Sequence, residues 1–332
     1  MAVIELSIDL GSKYITIYQK GIGLVLCEPA IVIATMSNHK TELREAGYRA
    51  QSIMADSLGG ARVMTPIKEG VVVDEETAAM MLKYFLKKII PSSIIPPNIK
   101  AMVSICSSSS GSDRRAVEKC CLKAGIKDVT LVEAPLSLLA YTGSIGGLIV
   151  DIGGGKTEIA AVTNRGIAAG CSVNIAGDAF NNAIIDRIFS LYGVKVGEFT
   201  VENLKQSALS FYADDSSVYS VMGSGKDGSP RSVDVSAVEM QRATLPLMDD
   251  ILEVIMSVLN QAPPELVAEV KRKGMFLTGG SVHIPGLKEY IECNLDLDVI
   301  LLRDNENAVA IGGAQFFDNK ELLGNMLGIK LR

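Results

Sequence analysis

The chain has 332 residues, 48% of them apolar and 21% charged, enough to fill the cores of two ordinary domains and too apolar for a disordered chain. A net charge of −6 argues against nucleic acid as a partner, because such surfaces are basic. Six cysteines with no CxxC pair, and two histidines, argue against a zinc site; the adjacent Cys120 and Cys121, in a helical pattern, read as small core residues of a reducing cytosol.

The amino terminus runs straight into a strand pattern, Val3-Ile4-Glu5-Leu6-Ser7-Ile8-Asp9, with no leader-like segment before it. No apolar run approaches the roughly 20 residues of a spanning helix, so the expected location is the cytoplasm. Strands are predicted over 6–10 and 15–19, separated by Gly11-Ser12-Lys13, and a third is bounded by Gly21 and Gly23 and runs toward Val25 and Leu26. Short strands joined by Gly turns make a meander, not a βαβ unit. From Glu75 to Ile90, the residues Ala78, Met81, Leu82, Phe85, Leu86 and Ile89 fall on one helical stripe, which Pro91 stops. A second helix spans Asp113 to Ala124 and ends at Gly125. A strand over 129–132 and a helix after Pro135 follow.

At Gly146 the pattern restarts. Leu148-Ile149-Val150-Asp151 is a buried strand, Gly153-Gly154-Gly155 a turn, and Glu158 to Val162 the next strand. An apolar strand ending in Asp, a Gly turn and a second strand thus occur twice, at Asp9 and at Asp151, as an internal duplication of one hairpin. Residues 211–232, rich in Ser, Gly and Asp, read as a surface loop or hairpin tip. Phe276-Leu277-Thr278-Gly279-Gly280-Ser281 then runs from a strand into a Gly-Gly turn and a helix.

These turns suit a nucleotide. Phosphates need close approach to backbone N–H groups, which favours Gly and Ser. Magnesium needs one or two carboxylates plus water and phosphate. Gly11, Ser12 and Lys13 would hold one side of the phosphates and Gly153, Gly154 and Gly155 the other, with Asp9 and Asp151 near the metal and its waters. A flat ring packs well on the Gly279-Gly280 backbone, which has no Cβ to block it. Either Asp alone also fits a turn-capping carboxylate, and the Gly279 segment alone also fits an ordinary strand-to-helix turn.

Together these residues resemble the first phosphate, second phosphate and adenosine motifs of the actin, sugar-kinase and heat-shock ATPase superfamily. The likeness narrows to MreB-type bacterial actins over nearly the whole chain. Cys27-Glu28-Pro29-Ala30 looks like the family's "REPS" turn, and Ile67 to Asp74 like "MKDGVIAD". Met81 to Phe85 matches "MLKYF", Arg114 to Glu118 matches "RRAVE", Gly177-Asp178 resembles the end of "GGD", and Lys226 to Val235 resembles the family's hairpin and next strand.

The resemblance implies an α/β actin-like ATPase fold. Two similar domains with duplicated ribonuclease H-like cores would flank a nucleotide cleft, giving four subdomains. Domain I is expected over 1–146 with an insert at about 31–64, and domain II over 147–332 with an insert at about 182–255, its C-terminal helix packing back on domain I. The implied cofactors are ATP and Mg2+. The implied partners are further copies in antiparallel double filaments, the inner face of the cytoplasmic membrane, and membrane-bound shape or cell-wall proteins, with no nucleic acid.

Carried over by position, Asp9 and Asp151 are the carboxylates that hold magnesium and its waters, and Asp151 with Glu133 forms the catalytic set. Glu133 would orient the attacking water; a solvated Glu at a helix start is the alternative. Glu202 and Lys205 match an E-x-x-K pair that brackets ribose and adenine; a surface ion pair is the alternative. Gly177, Asp178, Gly279, Gly280 and Ser281 complete the nucleotide set. Lys156 stands where the family has the first Thr of "GGGTTE", which helps place the water. A Lys there reaches a phosphate as a point charge, so hydrolysis is expected to be slow or rearranged. Ser107 to Ser110 replaces a "PSG"-like stretch, Ala176 the first Gly of "GGD", and Ser281 a third Gly.

Ile94 and Ile95, in a loop bounded by Pro91 and Pro97, match a loop that dips into the bilayer in MreB proteins. Two Ile contribute only a few kcal/mol on burial, so binding would rest on filament avidity; the alternative is that they fold back on the core. Other readings with the same fold are a plasmid- or organelle-positioning actin and a non-polymerising ATP-binding scaffold. A sugar or acetate kinase is disfavoured by the lack of a substrate acid–base residue, and a chaperone ATPase by the lack of room for a substrate domain before Arg332.

Overall fold

The apolar run at the start of the chain lies in β1 (Val3–Leu10), whose middle residues Leu6, Ser7 and Ile8 are buried on both faces, as a central strand requires. The computed structural model describes residues 3–37, 40–53, 61–92, 94, 96–212 and 215–328. With β2 (Tyr14–Gln19) and β3 (Gly23–Pro29), β1 forms the expected antiparallel meander. Then β4 (Val32–Ser37), β5 (Lys40–Ala46), α1 (Tyr48–Ile53) and β6 (Arg62–Met64) build a small sheet in the order β5-β4-β6. A tight hairpin of β7 (Ile67–Lys68) and β8 (Val71–Val72) precedes α2 (Glu75–Ile89), β9 (Asn98–Ile105), α3 (Gly111–Ala124), β10 (Asp128–Glu133) and α4 (Ala134–Thr142). Because β9 and β10 add in parallel, the first large sheet runs β10-β9-β1-β2-β3.

The second half repeats this plan. It holds β11 (Gly146–Ile152), β12 (Thr157–Thr163), β13 (Gly166–Val173), α5 (Gly177–Tyr192), α6 (Glu198–Ala208), β14 (Val218–Ser224), β15 (Pro230–Ser236), α7 (Ala237–Gln261) and α8 (Pro264–Lys273). After these come β16 (Met275–Thr278), a 3-10 turn over Gly280–His283, α9 (Leu287–Leu295), β17 (Val299–Leu301), α10 (Ala308–Gln315) and α11 (Lys320–Leu327). Its sheet runs β17-β16-β11-β12-β13, with β16 and β17 parallel to β11. Three successive strands followed by two parallel additions on the same side is the order of the first sheet, so the duplication seen at Asp9 and Asp151 extends to whole sheets.

Two compact units result: Met1–Gly146 with Val162–Ala168 and Glu306–Arg332, and Gly147–Ala161 with Ala169–Asn305. In the first, Leu6, Ile8, Ile15, Ile17, Leu82 and Phe85 are central to the core. In the second, Leu148, Val150, Phe180, Ile184, Met248 and Ile255 are.

Helix ends follow side-chain chemistry. Asp74 accepts the Thr77 N–H at the start of α2. Ser110 and Asp113 form a reciprocal capping box on α3, which ends at Gly125 in the left-handed region. Of the two readings of residues 211–232 the structure has the hairpin: 218–224 pair with 230–236 as the β14–β15 ladder, which buries Val221 and Val235. The cysteines divide. Cys106, Cys120 and Cys121 are buried, the core role expected of the adjacent pair, and burial pushes the Cys120 thiol up to about 12; Cys171 and Cys293 are exposed. No described helix is long and apolar enough to cross a membrane.

Within the first unit, α10 presses against α4 and β1 through paired glycines. A Cβ on Gly312 would lie 1.9 Å from the Ser137 carbonyl oxygen, and one on Gly313 would lie 2.4 Å from Ser7 Oγ. Gly312→Ala must therefore push two packed helices apart. We expect a loss of at least about 2 kcal/mol, read from denaturant unfolding; a variant as stable as the parent would contradict this packing.

Candidate functional site

In the first unit the candidate residues collect at the carboxyl ends of the parallel strands, where open α/β sheets bind ligands. Asp9 lies opposite Ser104 of β9, and Glu133, one position on from Val132, ends β10. At strand spacing, Asp9 and Glu133 are about 10 Å apart across the sheet. The turn after β1 is held on both sides. Gly11 admits no side chain, because a Cβ would come within 2.6 Å of the Tyr14 carbonyl oxygen. Ser12 Oγ accepts the Gly70 N–H at 2.9 Å, and the Lys13 carbonyl accepts the Ala30 N–H at 2.8 Å. Gly70 and Glu69, at the tip of the β7–β8 hairpin, both have positive φ, so a strained two-residue turn is tied to Ser12.

Glu133 is not simply solvated. Its carboxylate makes no hydrogen bond to the first turn of α4, and Arg114 Nη2 on α3 donates to Oε1 at 2.6 Å. The Glu133 side chain is 17% exposed.

In the second unit, the turn at Gly153 to Lys156 is fixed by its carbonyls. The Gly153 carbonyl accepts Gly177 N–H at 3.1 Å and Ser281 Oγ–H at 3.2 Å. The Gly154 carbonyl accepts Asp178 N–H at 2.7 Å, and the Lys156 carbonyl accepts Gly153 N–H at 3.1 Å. A trans peptide points its N–H opposite to its C=O, and no described peptide is cis. With the Gly153 and Gly154 carbonyls drawn toward α5, the N–H groups of Gly154 and Gly155 face the other way, as an anion nest requires. Gly177 and Asp178, predicted as nucleotide residues, use their own N–H groups to hold this turn.

The third motif sits against the second. Asp151 lies opposite Thr278, and Gly279 has φ +93°. A Cβ on Gly279 would come within 2.4 Å of both Asp151 Oδ1 and the Ile152 carbonyl oxygen, whereas one on Gly280 would meet nothing within 4 Å. The two neighbouring glycines thus have different reasons to be glycine: close packing for one, an open surface for the other.

Glu202 and Lys205 are more than a surface ion pair. Lys205 is 8% exposed, and its Nζ donates to the Gly177 carbonyl and to Glu202 Oε2, each at 3.0 Å. Asn181 Nδ2 donates to the same Oε2 at 2.7 Å, while its own Oδ1 is buried with no hydrogen-bond partner in the structure. That buried acceptor, the Lys205–Glu202 pair and the glycine turn form a donor and acceptor set that fits a nucleotide. Sequence reading missed Asn181, Gly70 and the role of Arg114, because a lone Asn or Arg on a helix carries no local signal of its distant partner. Among the described residues, no cluster of three or more His, Cys, Asp or Glu could hold a metal; magnesium would rest on one or two carboxylates plus phosphate and water.

A family model described as MreB/Mbl protein matches residues 3–325. The chain belongs to the MreB/Mbl family. It is 30% identical over 333 residues to the cell shape-determining protein MreB of Escherichia coli K12, covering 97% of this chain and 96% of that one. Its fold matches crystalline MreB5 of Spiroplasma citri bound to AMPPNP at TM-score 0.88 and 25% identity, covering 99% of this chain and 100% of that one. The subunit of a MamK double helical filament is similar in fold, at TM-score 0.81 and 20% identity, over 95% of this chain and 99% of that one. The matched span contains all three glycine motifs, with Asp9 and Glu133 in one unit and Asp151, Lys156, Lys205 and Ser281 in the other.

The contrast at the third motif is measurable. Gly279→Ala is expected to cost about 2–3 kcal/mol of stability through collision and positive φ. Gly280→Ala should change stability by less than about 1 kcal/mol yet weaken nucleotide binding at least about tenfold by occupying the ring's face. Thermal unfolding and nucleotide titration of both variants decide this; equal effects would refute the distinction.

Proposed function

We propose that this MreB/Mbl-family chain binds ATP with Mg2+ and polymerises into filaments that organise cell shape and cell-wall synthesis beneath the cytoplasmic membrane. The observation that carries the reading is the inward-held carbonyl set of the Gly153 turn, in a chain matched by the family over residues 3–325. The E. coli relative is named for determining cell shape, and the Spiroplasma relative carries a nucleotide analogue. Asp9 and Asp151 are assigned to the magnesium and its waters, and Glu133 to the attacking water. Residues 31–64 and 182–255 are assigned as the two smaller subdomains.

Hydrolysis is proposed to be slow. Lys156 cannot hold a water as the family's Thr hydroxyl does, and its charge favours a bound triphosphate. Lys156→Thr should raise the hydrolysis rate about tenfold, read as phosphate release; an unchanged rate would remove Lys156 from the account.

Membrane attachment is assigned to the Pro-bounded loop. Ile94 is fully exposed and does not fold back on the core; Ile95 lies outside the described residues. One exposed Ile contributes about 2 kcal/mol on burial, so a single subunit binds weakly and a filament binds by avidity.

Sedimentation with ATP and magnesium, with and without anionic liposomes, tests both parts. The wild type should pellet only with nucleotide and should co-pellet with liposomes. Ile94→Ser should still polymerise and lose most liposome binding. If no nucleotide condition yields a pellet, the polymerising reading fails and a monomeric ATP-binding scaffold replaces it.

A further inference from the structure

The contact between Arg114 and Glu133 has a role beyond joining α3 to the end of β10. We propose that Arg114 is a positioning residue that fixes the Glu133 carboxylate for water orientation. The inference rests on the reading of Glu133 given above.

Glu133 has little backbone freedom. It pairs with Ile105 in the β9–β10 ladder and is the extended residue that caps α4, with Pro135 and its fixed φ in the helix's first turn. What remains loose is the side chain. A Glu carboxylate on three rotatable bonds cannot hold a water within the half-ångström tolerance of a catalytic position unless something locks it. Arg114 supplies the lock. Its Nη2 binds Oε1 at 2.6 Å, leaving Oε2 as the oxygen that meets a water.

The guanidinium is itself anchored. Arg114 Nε donates to the Ser109 carbonyl at 3.4 Å, and its backbone N–H donates to the Ser110 carbonyl at 3.0 Å. The Ser110–Asp113 capping box fixes that first turn of α3. So the serine stretch that departs from the family pattern is the platform on which Arg114 stands.

The next residue provides a control. Arg115 is exposed, and its Nη1 lies against Gly111 at its own helix start, 3.5 Å from where a Cβ would be. It has the same charge and the same helix, without a hydrogen bond to Glu133.

The test compares ATP hydrolysis, nucleotide affinity and melting temperature for the wild type, Arg114→Ala, Arg114→Lys, Arg115→Ala, Glu133→Gln and the double variant Arg114→Ala/Glu133→Gln. Arg114→Ala should lower kcat about tenfold with KM and affinity little changed, and Arg114→Lys should recover part of the loss. Arg115→Ala should match the wild type. In the Glu133→Gln background, removing Arg114 should cost nothing further, because the group it positions is gone. Equal losses in Arg114→Ala and Arg115→Ala, or the same factor lost with and without Glu133, would overturn the proposal. So would a loss in Arg114→Ala that appears as lower affinity and melting temperature instead of kcat. If the wild type binds ATP and Glu133→Gln hydrolyses it as fast, the water-orienting assignment falls and Arg114 with it. If the wild type binds no nucleotide, the proposed function itself fails first.

Discussion

The direction of a few peptide carbonyls governs what the second unit can do with a phosphate. Gly153 and Gly154 turn their carbonyls toward the N–H groups of Gly177 and Asp178, and Ser281 adds a hydroxyl to the first of them. Planar trans peptides then leave the N–H edges of Gly154 and Gly155 on the other side. A helix start is usually thought of as the anion binder. Here α5 spends its first N–H groups holding a loop, and the loop presents the donors. Lys205 reinforces this from behind, since its buried ammonium reaches the Gly177 carbonyl and Glu202. A charge buried to that degree is tolerated only because it is paired and hydrogen-bonded.

The first unit meets the same requirement by other means. Its turn is pinned through Ser12 to a strained hairpin tip and through Lys13 to the chain after β3. Both turns leave a central strand whose last residue but one is Asp, and both strands take two parallel neighbours on one side and a meander on the other. One scaffold, used twice, delivers a carboxylate and a glycine turn each time.

Much of this was legible in the chain. Strands ending at Asp9 and Asp151, the glycine turns after them, and the α2 and α3 stripes are local patterns, and local patterns survive in one dimension. Elements closed by distant partners were not legible. A solvated helix start stayed open as the alternative for Glu133, because Arg114 lies 19 positions away. Asn181 gave no signal, because its partner Glu202 is on another helix. The polar stretch at 211–232 read as either a loop or a hairpin tip, because the buried positions of the β14–β15 ladder, Val221 and Val235, are sparse among polar neighbours.

The central claim is that the Gly153 turn, its carbonyls held toward α5, leaves its N–H groups to a nucleotide phosphate. Backbone hydrogen exchange of the wild-type protein, with and without AMPPNP and magnesium, tests it most directly. The account predicts exchange at 153–156 that slows as nucleotide is added. Unchanged exchange at 153–156 when nucleotide saturates the protein would contradict it.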